Sequence, residues 1–160
     1  MEPKDLLAKL YARCCRMQDA NFATASLYFR LHTWLGLPSA ILAGIVSSAV
    51  FGTLNDSALT WVDIAAGGLS LLSAAMIGAV TFLRFGEKGE QHRVAGAKYA
   101  AIKREVELLW TFPPQNLEET LAKLTERWDQ ITSESPTIPD KLWRRFSEKV
   151  YAVDKNTNGN

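Results

Sequence analysis

Side chains able to do covalent or acid–base chemistry are few in this chain and do not converge. The two histidines, His32 and His92, stand on either side of two long uncharged stretches. Cys14 and Cys15 are neighbours, and neighbours on a helix point in different directions. That geometry suits neither a metal site nor an ordinary disulfide. Glu87, Glu90, Glu105 and Glu107 are surrounded by Lys and Arg, as the acids of a solvated helix face are. There is no H-E-x-x-H, no G-x-S-x-G and no Walker loop. No glycine-rich phosphate turn sits in a βαβ pattern. The sequence therefore predicts no catalytic residue, no metal ligand and no cofactor site. A net charge of +1 argues against direct nucleic-acid binding.

A different chemistry, solvation, is carried by hydroxyls inside the uncharged stretches: Ser39, Ser47, Thr53, Ser73 and Thr81. Such groups can bond back to their own helix. Gathered from several subunits, they could also line a water-filled opening. No charged ring accompanies them to select among ions.

The elements that hold them are the two stretches themselves, residues 33–54 and 64–83. Charged residues make up 22% of the chain, and all of them lie outside these stretches. A bilayer core about 30 Å thick needs roughly 20 apolar residues of helix, and both stretches reach that length. Helices of a soluble bundle would carry a charged stripe, and these carry none. A long charged segment precedes the first stretch, so it does not read as a secretory signal. The connector NDSALTWVD is too short to cross back, which predicts an antiparallel transmembrane hairpin. Arg16 and Arg30 precede it; Arg84, Lys88, Arg93 and Lys98 follow it. The positive-inside rule then puts both termini in the cytoplasm, with Trp34 and Trp61 near opposite membrane faces.

Small residues recur at every fourth position of the spans: Gly36, Ala40, Gly44, Ser48 and Gly52 in the first, Ala66, Ser70, Ala74 and Gly78 in the second. Such stripes let helices approach closely in lipid. One on each span is what closing the hairpin requires, so Gly44→Leu is expected to weaken closure. The same residues are candidates to line a pore. Two spans cannot enclose a channel, so a pore requires a homo-oligomer.

Outside the spans the chain reads as helices. Leu7, Leu10, Cys14, Met17, Asn21, Thr24, Tyr28 and Leu31 form a heptad seam with a polar middle. This helix is expected to run into the first span, with a kink at Pro38. Ala95, Tyr99, Ile102, Val106 and Leu109 form a second seam, ended by TFPPQN. Asn116 with Glu119 resembles a capping box for a third seam of Leu117, Leu121, Leu124, Trp128 and Ile131. After SESPTIP, Asp140 can cap a last helix carrying Leu142, Phe146 and Val150. The fold class is all-α: a two-span hairpin (33–54, 64–83) with cytoplasmic helices at 1–32 and 84–154 and a frayed tail at 155–160.

The segment RFGEKGEQHRVAGAKYAAIKREVELL follows the second span. It carries His92, a small residue at Gly96, Tyr99 seven after the histidine, and the pair Arg104–Glu105. This order behind a two-span hairpin resembles the SLATT family, two-transmembrane effector domains of bacterial conflict systems. The likeness covers about residues 5–110. It implies an oligomeric effector of anti-phage defence in the bacterial inner membrane. Such an effector permeabilises the bilayer and halts growth or kills the cell when a separate sensor of infection or of a nucleotide signal triggers it. His92, Gly96, Tyr99, Arg104 and Glu105 would then couple the cytoplasmic helices to the spans. Arg104 could pair with Glu107, three positions on, or with a neighbouring subunit. Competing readings are a non-conducting membrane anchor or scaffold, a soluble helical module whose apolar runs are buried in an oligomer, and, weakest, a membrane-embedded enzyme.

Overall fold

The computed structural model describes residues 3–53 and 61–157, with side chains at 5–47, 61 and 64–148. It is all-helical over these residues: α1 (Pro3–Thr53), α2 (Trp61–Leu83), α3 (Phe85–Thr111), α4 (Leu117–Glu134) and α5 (Asp140–Thr157). The connector at 54–60, the side chains of Ser48, Gly52, Thr53 and Val150, and the last three residues lie outside the described set. Two compact units emerge, residues 1–26 with 89–160, and residues 27–88.

The first unit is built on the seams. Leu7, Leu10 and Cys14 of α1 meet Tyr99, Ile102 and Val106 of α3 and Leu121, Leu124 and Ile131 of α4 in one apolar core. Met17, Leu109, Leu117 and Trp128 pack against it. Apolar residues spaced by three and four fall on one helix face, so the spacing alone selects these side chains for burial. The polar middle of the α1 seam, Asn21 and Thr24, is buried as well. Thr24 Oγ1 donates to the Ala20 carbonyl at 2.7 Å.

Two caps differ from expectation. Asn116 stands at the N-cap of α4, but with ψ at 61° its side chain makes no capping bond. Glu119 instead pairs with Lys123 one turn on, at 2.7 Å. Asp140 is the first residue of α5 rather than its cap. The Pro139 carbonyl accepts from the amides of Leu142 and Trp143 at 2.9 and 3.0 Å. Asp140 then serves as a first-turn acid, favourable to the helix dipole.

The second unit is a helical hairpin. Ser73 Oγ donates to the Ser39 carbonyl at 2.9 Å, and the rings of Tyr28 and Phe85 stack 6.2 Å apart. As numbering falls from 39 to 28 along α1, the partner rises from 73 to 85, so the helices are antiparallel. Arg30 and Arg84 consequently lie at the same end. With the rise of about 1.5 Å per residue, Trp34 and Trp61 stand about 26 Å apart along the hairpin.

The contact face is not the small-residue stripe. Ser39 and Ser73 are 2% and 3% exposed, whereas Ala40, Gly44, Ala74 and Gly78 are exposed and Gly36 and Ser70 only half-buried. A Cβ added at Gly36, Gly44 or Gly78 would meet nothing within 4 Å. Consecutive helix residues differ in direction by about 100°. The face through Ser39, flanked by half-buried Leu35, Leu42, Ala43 and Val46, therefore excludes the stripe one position away. The expectation that Gly44→Leu opens the hairpin falls with it.

α1 continues through Pro38 without ending. The second span does not continue in the same way. Arg84 has a φ of 49° and divides α2 from α3. A side-chain-bearing residue in the left-handed region costs about 1 kcal/mol. Here Arg84 N still donates to the Val80 carbonyl at 3.2 Å and the Arg84 carbonyl accepts from Lys88 N at 3.1 Å. The Arg84 side chain pairs with Glu87.

Two helical stretches, within Asp5–Ser47 and Ile64–Thr111, are long and apolar enough to cross a membrane. Only 6% of each apolar window is buried. Leu37, Ile41 and Ile45 of α1 and Ile64, Leu71, Leu72 and Phe82 of α2 all face outward.

Candidate functional site

His92, Gly96 and Tyr99 fall at i, i+4 and i+7 on α3, so one face carries all three, and all three are buried. Each meets a specific partner in the first unit. His92 Nδ1 lies 2.9 Å from Asn21 Oδ1. The Asn21 amide nitrogen donates to the Met17 carbonyl at 2.8 Å, and a carbonyl can only accept. That fixes the amide: Oδ1 faces the imidazole, and His92 donates from Nδ1. Burial pushes the His92 pKa below its ordinary value, favouring the neutral ring.

At Gly96, α3 meets the Phe22 side chain of α1. A Cβ there would lie 3.0 Å from two atoms of the Phe22 ring. A mid-helix glycine costs about 1 kcal/mol relative to alanine, and at this position its absent side chain is what lets the aromatic ring seat. Tyr99 is fully buried. Its ring packs on Trp128 with centroids 4.9 Å apart. Its hydroxyl is 3.3 Å from both Thr132 Oγ1 and Ser135 Oγ. Those two hydroxyls donate to the Trp128 and Ile131 carbonyls at 2.8 and 2.6 Å. Together these contacts tie α3 to the end of α4.

Arg104 and Glu105 do not join this face. Arg104 is exposed, its Nε 3.4 Å from the Ala100 carbonyl. The expected pair with Glu107 is not formed. Glu107 accepts from the Tyr11 hydroxyl at 3.1 Å and lies 3.9 Å from Lys103. A neighbouring helix and an i,i+4 lysine reach it ahead of the i+3 arginine. Both oxygens of Glu105 accept from Arg127 of α4 at 2.7 Å. Of the five coupling candidates, three thus form one packed polar–aromatic face, Glu105 makes a separate ion pair across two helices, and Arg104 points outward.

A second cluster lies at the far end of α3. Tyr11, Val106, Glu107, Trp110 and Thr111 line a cleft of about 350 Å³, with Lys103 5.4 Å from the Tyr11 ring centroid. Sequence spacing gave no sign of it, because Tyr11 and Glu107 are 96 residues apart. Two thiols, Cys14 and Cys15, lie beside it. Burial, reinforced by Cys15, pushes Cys14 up to about 12, and burial also raises Cys15. Among the described residues no group of three or more His, Cys, Asp or Glu could hold a metal ion.

In the hairpin, Ser39 and Ser73 are inside the helix–helix contact, which removes them from any water-lining role. Ser39 Oγ donates to the Gly36 carbonyl at 2.8 Å. Ser47 and Thr81 are exposed, and Ser47 donates to the Ala43 carbonyl at 2.8 Å. No protein-family model, curated protein or solved structure matches the chain.

Proposed function

We propose that the chain is an oligomeric inner-membrane effector that permeabilises the bilayer when triggered, as the resemblance to the SLATT family implies. The observation that carries this reading is the hairpin's outer surface. Over residues 33–47 and 64–83 it is apolar, almost wholly exposed within one chain and without a charged residue, and exposed Trp34 and Trp61 stand about 26 Å apart along the helical rise, close to the hydrocarbon thickness. The cationic end, with Arg30 and Arg84, faces the cytoplasm, and both termini lie there. Exposed Ala40 and Gly44, with Gly36, where an added Cβ would meet nothing within 4 Å, offer the surface for a neighbouring copy. Gly78 and Ala74 are available on α2 in the same way. The His92–Gly96–Tyr99 face fixes the helical bundle that receives the signal from a separate sensor. α1, unbroken from Pro3 to Thr53, carries it toward the first span; α3 is a poorer conduit because Arg84 interrupts it.

One observation favours a second reading, a non-conducting anchor or scaffold. With Ser39 and Ser73 inside the hairpin, exposed hydroxyls on the described spans are sparse. Membrane potential and cell fractionation, measured on one culture induced to express the chain, separate the two. Collapse of potential before lysis, with the protein in the inner membrane and the effect lost in Gly44→Leu, supports the pore. A membrane-bound protein with potential intact, even when co-expressed with the genes that neighbour its own, supports the scaffold.

A further inference from the structure

α3 carries a second seam that the bundle core does not use. Val94, Ala97, Ala101, Arg104 and Leu108 step by three and four. At about 100° per residue they share one stripe about 80° wide, roughly 140° round the helix from its core seam. Val94 and Leu108 are 41% and 61% exposed; Ala97 and Arg104 are exposed and Ala101 is half-buried. A lone charged residue on an otherwise apolar seam favours a partner that can meet the charge. Arg104 forms no ion pair among the described residues. α4 offers the complement. Glu118, Glu126 and Asp129 fall with Ala122, Thr125 and Ser133 on one arc about 100° wide, and all six are exposed. None of these three acids forms an ion pair among the described residues either. The arc lies on the opposite flank of α4 from Arg127 and Glu134, which hold α3.

Resting on the oligomeric reading above, we propose that the outer seam of α3 packs against the acidic face of α4 in a second copy, with Arg104 set between Glu126 and Asp129 of that copy. The heights agree. Within one chain, Lys98–Glu134 and Glu105–Arg127 fix an antiparallel register that puts residue 104 level with residue 128. Copies related by rotation about an axis along these helices keep their levels, so Arg104 of one comes level with the gap between the two acids of the next. Val94, Ala97, Ala101 and Leu108 then cover apolar surface that water meets in the single chain. The two surfaces belong to different helices, so the contact is heterologous and repeats round a ring when the rotation closes. Pairing α3 with α3 fits less well. The acid on that stripe is Glu90, and both of its oxygens already accept from Arg93, at 2.6 and 2.7 Å.

The test co-expresses two full-length copies with different tags in a Cys14→Ala/Cys15→Ala background, one carrying Ala101→Cys and the other Ser133→Cys. Oxidation after lysis should give a product that joins the two tags. Adding Arg104→Glu to the first copy should lower its yield at least about fivefold, the scale of one reversed charge contact. Adding Glu126→Arg/Asp129→Arg to the second copy as well should restore it. All three changed residues are exposed, so circular dichroism melts of the single chains should stay unchanged. A dominant product between two copies of the Ala101→Cys chain would overturn the proposal in favour of α3 pairing with itself. A yield indifferent to Arg104→Glu, or a loss that the charge swap does not restore, would overturn it too. A Gly44→Cys chain, crosslinked in parallel, reports on the spans. Its crosslinking without any 101–133 product overturns this interface and leaves the oligomer of hairpins standing; absence of both products removes the oligomeric reading itself.

Discussion

Breaking the Asn21–His92 contact should reveal how much of the bundle's stability rests on one buried polar pair. In Asn21→Leu, the His92 Nδ1–H loses its acceptor in a site that is 3% exposed. Leaving such a donor unmet costs about 1–3 kcal/mol. In His92→Leu, Asn21 Oδ1 is stranded at about the same cost. The double variant exchanges a matched polar pair for an apolar one, so its destabilisation should fall short of the sum by about 1–2 kcal/mol. Denaturant unfolding of the detergent-solubilised chain, followed by circular dichroism, gives the three values. The pair also predicts a pH dependence. His92 is held below its ordinary pKa by burial, so below about pH 6.5 the unfolded chain takes up a proton that the native bundle resists. Stability from this group is full above that pH and falls as pH drops, by at most about 1.4 kcal/mol per pH unit, until the folded pKa is passed. His92→Leu should lack this component, so the difference between its slope and that of the parent isolates it. Single-variant costs that add within about 0.5 kcal/mol, or identical slopes between pH 7 and 5, would refute the reasoning.

Three further outcomes follow from contacts described above. Gly96→Leu forces a branched side chain into the space held by Phe22; overpacking should cost about 1–3 kcal/mol, read as a lowered melting temperature. Gly44→Leu should leave intrachain Ser39–Ser73 proximity unchanged, as judged by cysteine crosslinking at those positions, while reducing crosslinks between copies. Glu105→Gln removes a half-exposed ion pair with Arg127 and should cost no more than about 1 kcal/mol in the same melts.

The bundle was legible because its information is periodic. Leu7 to Thr24 on α1, Ala95 to Leu109 on α3 and Leu117 to Ile131 on α4 are buried or half-buried as their spacing requires. The hairpin's existence was legible from the charge-free runs, but not its contact face. Two small-residue faces lie one position apart on each span, through Ser39 or Ala40 and through Ser73 or Ala74. The choice between them depends on how the helices approach, which no local pattern records. The Asn116–Glu119 spacing matched a capping box, yet the turn after two prolines leaves Asn116 with ψ at 61° and no side-chain capping bond. The left-handed break after the second span falls on Arg84, a residue type that gives no sign of it in the sequence. In the candidate site, burial of Tyr99 could be read from its seam. The partners of His92, Gly96 and Tyr99, namely Asn21, Phe22, Trp128, Thr132 and Ser135, belong to other helices and required the packing itself.

The most direct test of the membrane hairpin is the sidedness of two engineered thiols in a Cys14→Ala/Cys15→Ala background. Ser57→Cys lies in the connector and Ser133→Cys near the end of α4. A membrane-impermeant maleimide applied to intact spheroplasts should label position 57 and leave position 133 unlabelled until lysis, with the chain remaining in the membrane pellet after alkaline extraction. Release of the chain into the soluble fraction, or labelling of both positions only after lysis, would contradict the account.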